Sequence, residues 1–357
     1  MNKNKTITEE EKYISRCIQL ARQGMTGAPP NPMVGAVIVY NGKIIGEGFH
    51  RKCGEAHAEV NAINSVRNQS QLKKSTIYVS LEPCSHYGKT PPCADLIIEK
   101  GIPNVVIGCK DPFAKVAGRG IKKLRDAGIN VTVGILEQEC CKLNKRFITF
   151  HSCKRPYIVL KWAESVDGFI DVKRSGGKPA ILSSPLTSML VHKRRAEADA
   201  IIVGTKTALL DNPTLNVRHW YGNNPLRVVI DRTLKIPDHF HLLQNDLPTW
   251  VITEKEHADS SITTYKKIDF TDELLPQLLT ELHKNNIQSI LVEGGATLLQ
   301  SFINKKLWDE AFVEKTTISL NEGVKAPHID AIVYSVDEHF STPIWHYFNE
   351  NETSEGI

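Results

Sequence analysis

Apolar residues recur at helical spacing over residues 7–23, where Ile14, Cys17, Ile18 and Ala21 fall on one face. A Gly- and Pro-rich loop, GMTGAPPNPMVG, ends that helix, and the apolar run over residues 34–40 reads as a strand. Asn41-Gly42 is a hairpin signal, so residues 43–49 form the return strand. A helix follows over 57–67, then a short buried strand over 77–80 that stops at a Pro-Cys turn. The pattern continues with helix 91–100, strand 104–108, helix 118–127, strand 129–133 and helix 136–147. Strands alternating with helices predict a sheet covered by helices.

A second unit begins after a boundary near residues 147–156, where Arg155-Pro156 precedes a fresh apolar strand. It predicts strand 157–162, helix 185–197, strands 199–203, 226–230 and 249–253, helix 272–284, strand 288–292 and helix 296–304. No short-period repeat or low-complexity tract interrupts it. The polar tail after about residue 349 is expected to fray.

Length and composition agree with two soluble domains: 357 residues, 41% hydrophobic and 24% charged. A net charge of +4 is too small to argue for a nucleic-acid partner. The polar start, MNKNKTITEEEKY, lacks the apolar region of a secretory signal, and no apolar run is long enough to span a membrane. In such a chain the cysteines at 17, 53, 84, 93, 109, 140, 141 and 153 read as reduced thiols, which points to the cytoplasm.

Two of those cysteines carry chemistry. His57-Ala58-Glu59 is followed by Glu82-Pro83-Cys84 and Thr90-Pro91-Pro92-Cys93. One histidine and two thiolates make three zinc ligands, and a catalytic zinc keeps its fourth position for water. Glu59 is not needed as a ligand and can shuttle the water's proton, as in zinc deaminases with an H-x-E and P-C-x-x-C signature. Here eight residues, 85–92, separate the cysteines instead of two. Both ligand segments open predicted helices, whose free N–H groups favour thiolate. His57 and either cysteine taken singly would read as ordinary packing; the ordered set argues against that.

Asn31, held between two prolines, offers a donor and an acceptor to a pyrimidine ring; a plain turn is the other reading. His86 lies in the insert, placed to touch substrate; as a fourth ligand it would close the position that hydrolysis needs. Lys110 and Asp111 follow a strand end, where ligands gather in α/β folds, or else form a solvated loop.

In the second unit three segments stand out: KWAESVDG at 161–168, DNPTLNVR at 211–218, and VEGGATL at 292–298. Two glycines before a helix allow close approach of a phosphate, although a tight turn needs them equally; the G-x-G-x-x-G fingerprint is absent. Arg195 and Arg218 are candidate phosphate ligands or surface cations, and spacing does not choose between Arg195 and Arg194.

The run PCSHYGKTPPC, with HAEV and PNPMVG upstream, resembles the deaminase half of the bifunctional riboflavin-biosynthesis deaminase/reductase family. KWAESVDG, HKRRAEADAIIVGTKTALLDNPTLNVR and VEGGATLL resemble its reductase half, so the likeness spans roughly residues 8–320. The resemblance implies an α/β chain of two domains. Residues 1–147 would be a cytidine-deaminase-like α/β/α sandwich, and residues 156–349 a dihydrofolate-reductase-like α/β domain. It also implies NADPH as hydride donor, a phosphorylated pyrimidine as substrate, no nucleic-acid or membrane partner, and a homo-oligomer.

Carried residue by residue, the resemblance puts Zn2+ on His57, Cys84 and Cys93, with Glu59 as proton shuttle. Asn31, His86 and Asp111 would contact the pyrimidine. Ala163, Ile181, Thr207, Asp211, Gly295, Ala296, Thr297, Leu298, Leu299, Gln300 and Ser301 would lie against NADPH. Arg195, Leu215, Arg218 and Glu293 would lie against the sugar phosphate. Two stretches depart from the family pattern: Asp111-Pro112-Phe113-Ala114, where Asp-Pro-Asn-Pro is usual, and residues 169–182, FIDVKRSGGKPAIL. The competing readings are a nucleoside or tRNA deaminase with an accessory α/β domain, a zinc-stabilised scaffold or regulator without activity, and a chain with one active and one degenerate half, to which the two departing stretches point.

Overall fold

The computed structural model describes residues 7–87, 91–112, 118–174 and 177–349. Residues 1–6, 88–90, 113–117, 175–176 and 350–357 lie outside the described residues, among them Thr90, Phe113, Ala114, Ser175 and Gly176 of the stretches quoted above. The chain divides into two compact units, Met1–Cys153 and Lys154–Ile357. No described helix is long and apolar enough to cross a membrane.

In the first unit α1 (Glu9–Ala21) starts from a capping box in which Thr8 and Glu11 satisfy each other's main-chain N–H. Strands β1 (Gly35–Tyr40), β2 (Lys43–Phe49), β3 (Thr76–Leu81), β4 (Asn104–Cys109) and β5 (Asn130–Val133) form one sheet in the order β2-β1-β3-β4-β5. The β1 pairings are antiparallel; β3-β4 and β4-β5 are parallel.

Alternate residues of each strand face opposite sides, so the sheet builds two cores. Ile38, Ile77, Val79, Val105 and Ile107 pack under α2 (Ala58–Ser65), α3 (Cys93–Glu99) and α4 (Arg119–Asp126). Val37, Val39, Tyr78 and Val106 pack under α1 and α5 (Glu137–Leu143). This is the expected α/β/α sandwich. The helix predicted over 136–147 is two helices, α5 and α6 (Lys145–Cys153), broken at Asn144. The Asn144 amide holds Met33 through both main-chain groups, at 2.8 and 2.9 Å, and so anchors the Pro-rich loop.

The second unit contains β6 (Tyr157–Glu164), β7 (Phe169–Asp171), α7 (Pro185–Glu197), β8 (Ala200–Gly204), α8 (Thr205–Asp211), β9 (Leu226–Ile230), β10 (Thr249–Thr253), β11 (Thr263–Lys267), α9 (Leu274–Lys284), β12 (Ser289–Val292), α10 (Ala296–Asn304), β13 (Glu310–Lys315), β14 (Val324–Lys325), β15 (Val333–His339) and β16 (Thr342–Phe348). Nine strands form one sheet, β11-β10-β9-β8-β12-β6-β13-β16-β15, parallel from β11 to β13 and antiparallel beyond. β7 and β14 make a separate pair.

The sheet again carries a core on each face: Ile158, Leu160, Ile202 and Val292 on one, Val159, Ile201, Val229 and Leu291 on the other. Aligned strand ends matter for function. In the parallel register Leu160, Ile202 and Val292 are neighbours, so the segments after β6, β8 and β12 share one edge.

Candidate active sites

The candidate metal cluster in the first unit is assembled by local geometry. Leu81 at the end of β3 pairs with Cys109 at the end of β4, so Cys84 and Asp111 leave the same sheet edge. His57 is the extended residue that precedes α2, and Cys93 opens α3. His57 Nδ1 lies 3.5 Å from Cys84 Sγ and 3.3 Å from Cys93 Sγ, and all three ligand atoms fall within 4.8 Å of one another. A tetrahedral zinc would space such atoms by about 3.5 Å, given its usual bond lengths. The residues present therefore fit a zinc ion with one position left over.

The electrostatics divide the roles. The Cys93 thiol and His57 hold the Cys84 thiol down at about 4, and the Cys93 main-chain N–H also donates to Cys84 Sγ at 3.3 Å. Cys93 is pushed well above its ordinary value by the Cys84 sulfur and by burial. The Cys84 thiolate raises His57 to about 9. Glu59 is only 3% exposed; burial first and the Cys84 charge second raise it to about 7. A buried carboxyl beside the cluster is placed to accept and return a proton.

Around this cluster, Asn31 is half-buried with its amide nitrogen 3.1 Å from His50 Nε2. Asp111, two residues past β4, is buried, whereas His86 is exposed. Two residues with no role read from the sequence stand behind these. His50 is buried, which lowers its pKa, and its ring meets that of His57 edge-on, with centroids 5.2 Å apart. The buried Glu82 carboxylate accepts from the main-chain N–H of Asp111, Gly118, Gly120 and Ile121, at 3.3, 2.9, 2.9 and 3.2 Å. The Glu-Pro-Cys motif flags Glu82, but its partners lie 29 to 39 residues away.

The second unit holds a cavity of about 760 Å³ at the shared strand edge. Ala163, Ile181, Thr207, Asp211, Gly295, Ala296, Thr297, Leu298, Leu299 and Ser301 all line it, as does Glu293. Gly294 and Gly295 have φ of 155° and 65°, and a Cβ on either would come within 3.2 Å of the Thr207 side chain. The double glycine thus serves close approach to α8. Gln300 does not line the cavity. About 100° per residue around α10 turns it away, and its amide pairs with Asn304 and with the main chain of His328.

The sugar-phosphate candidates separate. Arg195 makes two bonds to Glu293, at 2.9 and 2.6 Å, and a third to the Asn216 carbonyl. Its neighbour Arg194 instead stacks on Phe312, 3.4 Å from the ring centre. Arg218 is exposed and is steadied by Thr214 and Asn216. Leu215 is 3% exposed and belongs to the core. None of Arg195, Leu215 and Arg218 lines the cavity.

Three cations that sequence reading passed over do line it: Lys161, Arg174 and Lys206. Lys161 is lowered by burial and faces Glu314 at 3.8 Å; Glu314 also accepts from Ser183 at 2.6 Å. Arg174 bridges Asp171 and Asp211. The lining also carries Asp171, Asp211 and Glu293, so Arg174 is already paired and Lys206 is the cation left to meet a phosphate of a bound dinucleotide.

Residues 7–109 match the family described as the cytidine and deoxycytidylate deaminase zinc-binding region, and residues 156–314 match the RibD C-terminal domain. The riboflavin biosynthesis protein RibD of Aquifex aeolicus is 37% identical over 320 residues, covering 88% of this chain and 89% of that protein. RibD of Bacillus amyloliquefaciens is 40% identical over 313 residues, covering 84% and 82%. A solved diaminohydroxyphosphoribosylaminopyrimidine deaminase/5-amino-6-(5-phosphoribosylamino)uracil reductase of Thermotoga maritima superposes with a TM-score of 0.86 at 36% identity, covering 95% of this chain and 98% of that one. The match over 156–314 sets aside the reading of a nucleoside or tRNA deaminase with an accessory domain.

Proposed function

The chain belongs to the RibD family of bifunctional deaminase/reductases of riboflavin biosynthesis, and from that premise we infer which of its residues carry each step. The first unit deaminates 2,5-diamino-6-(5-phosphoribosylamino)pyrimidin-4-one; the second reduces the ribosyl group to a ribityl chain with NADPH.

His57, Cys84 and Cys93 hold zinc. When bound, the ion supplies an acidified water, with a pKa falling from 15.7 toward about 7. Glu59 takes a proton from the attacking water and returns a proton to the leaving amine, and the second water proton ends on the ring nitrogen beside the new carbonyl, so that water and the amino-bearing carbon become a cyclic amide and ammonia. The buried position of Glu59 keeps bulk water from competing for that proton. Asn31, His86 and Asp111 hold the pyrimidine.

In the second unit the cavity lined by Thr207, Asp211 and residues 295–299 takes NADPH, which supplies the hydride. Lys206, on the cavity wall, would meet its phosphates. Arg218 and the Arg195–Glu293 pair lie toward the sugar phosphate of the substrate. When bound, NADPH would supply hydride to C1′ of the open imine form, with the imine nitrogen taking a proton from solvent, and what these residues supply is orientation. The protein acts in the cytoplasm as a homo-oligomer.

The convergence of His57 Nδ1, Cys84 Sγ and Cys93 Sγ beside a buried Glu59 carries this reading. A coupled assay tests it: ammonia release and NADPH oxidation followed together on the phosphoribosylated diaminopyrimidine. Ammonia first and NADPH loss second is the expected order. Ammonia without NADPH loss would overturn the reductase assignments, and neither signal from zinc-loaded protein would overturn the substrate.

A further inference from the structure

We propose that His50 is a positioning residue that fixes the Asn31 amide with its nitrogen turned inward, so that the deaminase site shows the pyrimidine a hydrogen-bond acceptor. The proposal rests on the reading that Asn31 faces the substrate, and it deepens that reading.

Two contacts of one ring decide the orientation. His50 Nδ1 lies 3.2 Å from the Ala56 carbonyl oxygen. A carbonyl can only accept, so Nδ1 carries the hydrogen, and the neutral ring then has a bare lone pair at Nε2. That lone pair lies 3.1 Å from the Asn31 amide nitrogen. The amide must donate there. Reversed, its oxygen would oppose a lone pair at hydrogen-bond distance.

The scaffold holds the main chain of both groups. His50 is 2% exposed and its main-chain N–H donates to Val34 at 2.9 Å. The Asn31 N–H donates to Ala28 at 2.8 Å. A Cβ on Gly24 would meet the His50 carbonyl oxygen at 2.4 Å, so the loop and the end of β2 are in main-chain contact. Among the described residues, Asn31 Oδ1 has no protein partner. It is therefore left as an acceptor, with the second amide hydrogen beside it. An acceptor paired with a donor complements the N–H and C=O edge of a pyrimidinone. The same ring rests edge-on against His57, so the recognition group and the metal ligand share one support.

Three measurements on the zinc-loaded full chain test this. First, nitrogen-15 histidine spectra should show His50 protonated at Nδ1; protonation at Nε2 would overturn the proposal. Second, Asn31→Ala and His50→Ala should each raise the deaminase KM about tenfold, with kcat less affected and zinc content unchanged, tenfold being the worth of one ordinary hydrogen bond. The double variant should be no worse than the poorer single variant. Multiplying effects would mean that His50 does not act through Asn31. An unchanged KM in Asn31→Ala would instead refute the placement of Asn31 at the substrate. Third, His50→Gln restores an acceptor toward Asn31 and should recover part of the KM even where His50→Ala folds poorly. A His50→Gln variant that folds and holds zinc with no such recovery would overturn the proposal.

Discussion

Replacing Glu82 with alanine removes one acceptor shared by four main-chain N–H groups. Two of the bonds are short, at 2.9 Å, from Gly118 and Gly120. Those from Ile121 and Asp111 are longer, at 3.2 and 3.3 Å. Gly120 and Ile121 stand in the first turn of α4, where a helix offers no acceptor of its own. Leaving a buried donor unmet costs about 1–3 kcal/mol. Counting about 2 kcal/mol for each short bond, and letting water replace the longer pair, the loss is about 4 kcal/mol. For a unit of this size each kcal/mol moves the midpoint by about 2–4 °C, so the deaminase transition should fall by roughly 10 °C. The transition is recognised in thermal unfolding by its dependence on added zinc. Hydrogen exchange should rise in peptides carrying Gly118, Gly120 and Ile121. Glu82→Gln, which keeps one oxygen but turns an NH2 toward donors, should fall between. An alanine variant within about 1 kcal/mol of the parent, with unchanged exchange, would refute the reasoning.

Glu59→Gln should keep zinc and the reductase step while ammonia release drops by about 10²- to 10⁴-fold, the usual worth of a general acid–base; normal turnover would remove the shuttle role. Arg195→Ala leaves Glu293 buried without its partner, so the reductase unit should lose about 3–5 kcal/mol by chemical denaturation. Arg218→Ala, at an exposed position, should raise the reductase KM with no such loss. His192 is buried, and burial, then the charges of Arg195 and Arg218, lower it to about 4. Its folded value lies below its unfolded one, so its contribution to stability is complete above about pH 6.5 and is lost as pH falls toward 4. Thermal midpoints of the reductase unit should drop across that window, and His192→Gln should flatten the drop.

The candidate metal cluster was legible because each of its residues sits in a local feature. His57 precedes one helix, Cys93 opens another, and Cys84 follows a strand, so residue type and spacing point to the same chemistry. The two-core sheet was legible for a similar reason: period-2 and period-3.6 patterns report which face of an element is covered. Over the reductase half, the strand-to-helix segment with the double glycine was visible at 292–298, but its need for glycine was not. That need is a positive φ at both glycines together with the approach to Thr207 of α8, which lies 88 residues before Gly295 and comes near only in the folded chain.

Side-chain choices among near neighbours were decided by tertiary contacts. Arg194 and Arg195 are indistinguishable as letters; Phe312 from β13 takes one and Glu293 after β12 takes the other. Gln300 lies within a run of cavity residues and still turns away, because a helix shows each residue to a different neighbour. The predicted helix over 136–147 breaks at Asn144, whose amide serves Met33, 111 residues distant. Periodicity is a property of consecutive residues, so sequence by itself determines elements, their buried faces and motifs confined to one turn. Hydrogen-bond partners across a sheet edge depend on which strand ends become neighbours. Glu82 with α4, His50 with Asn31 and Arg195 with Glu293 are therefore fixed only when the chain closes.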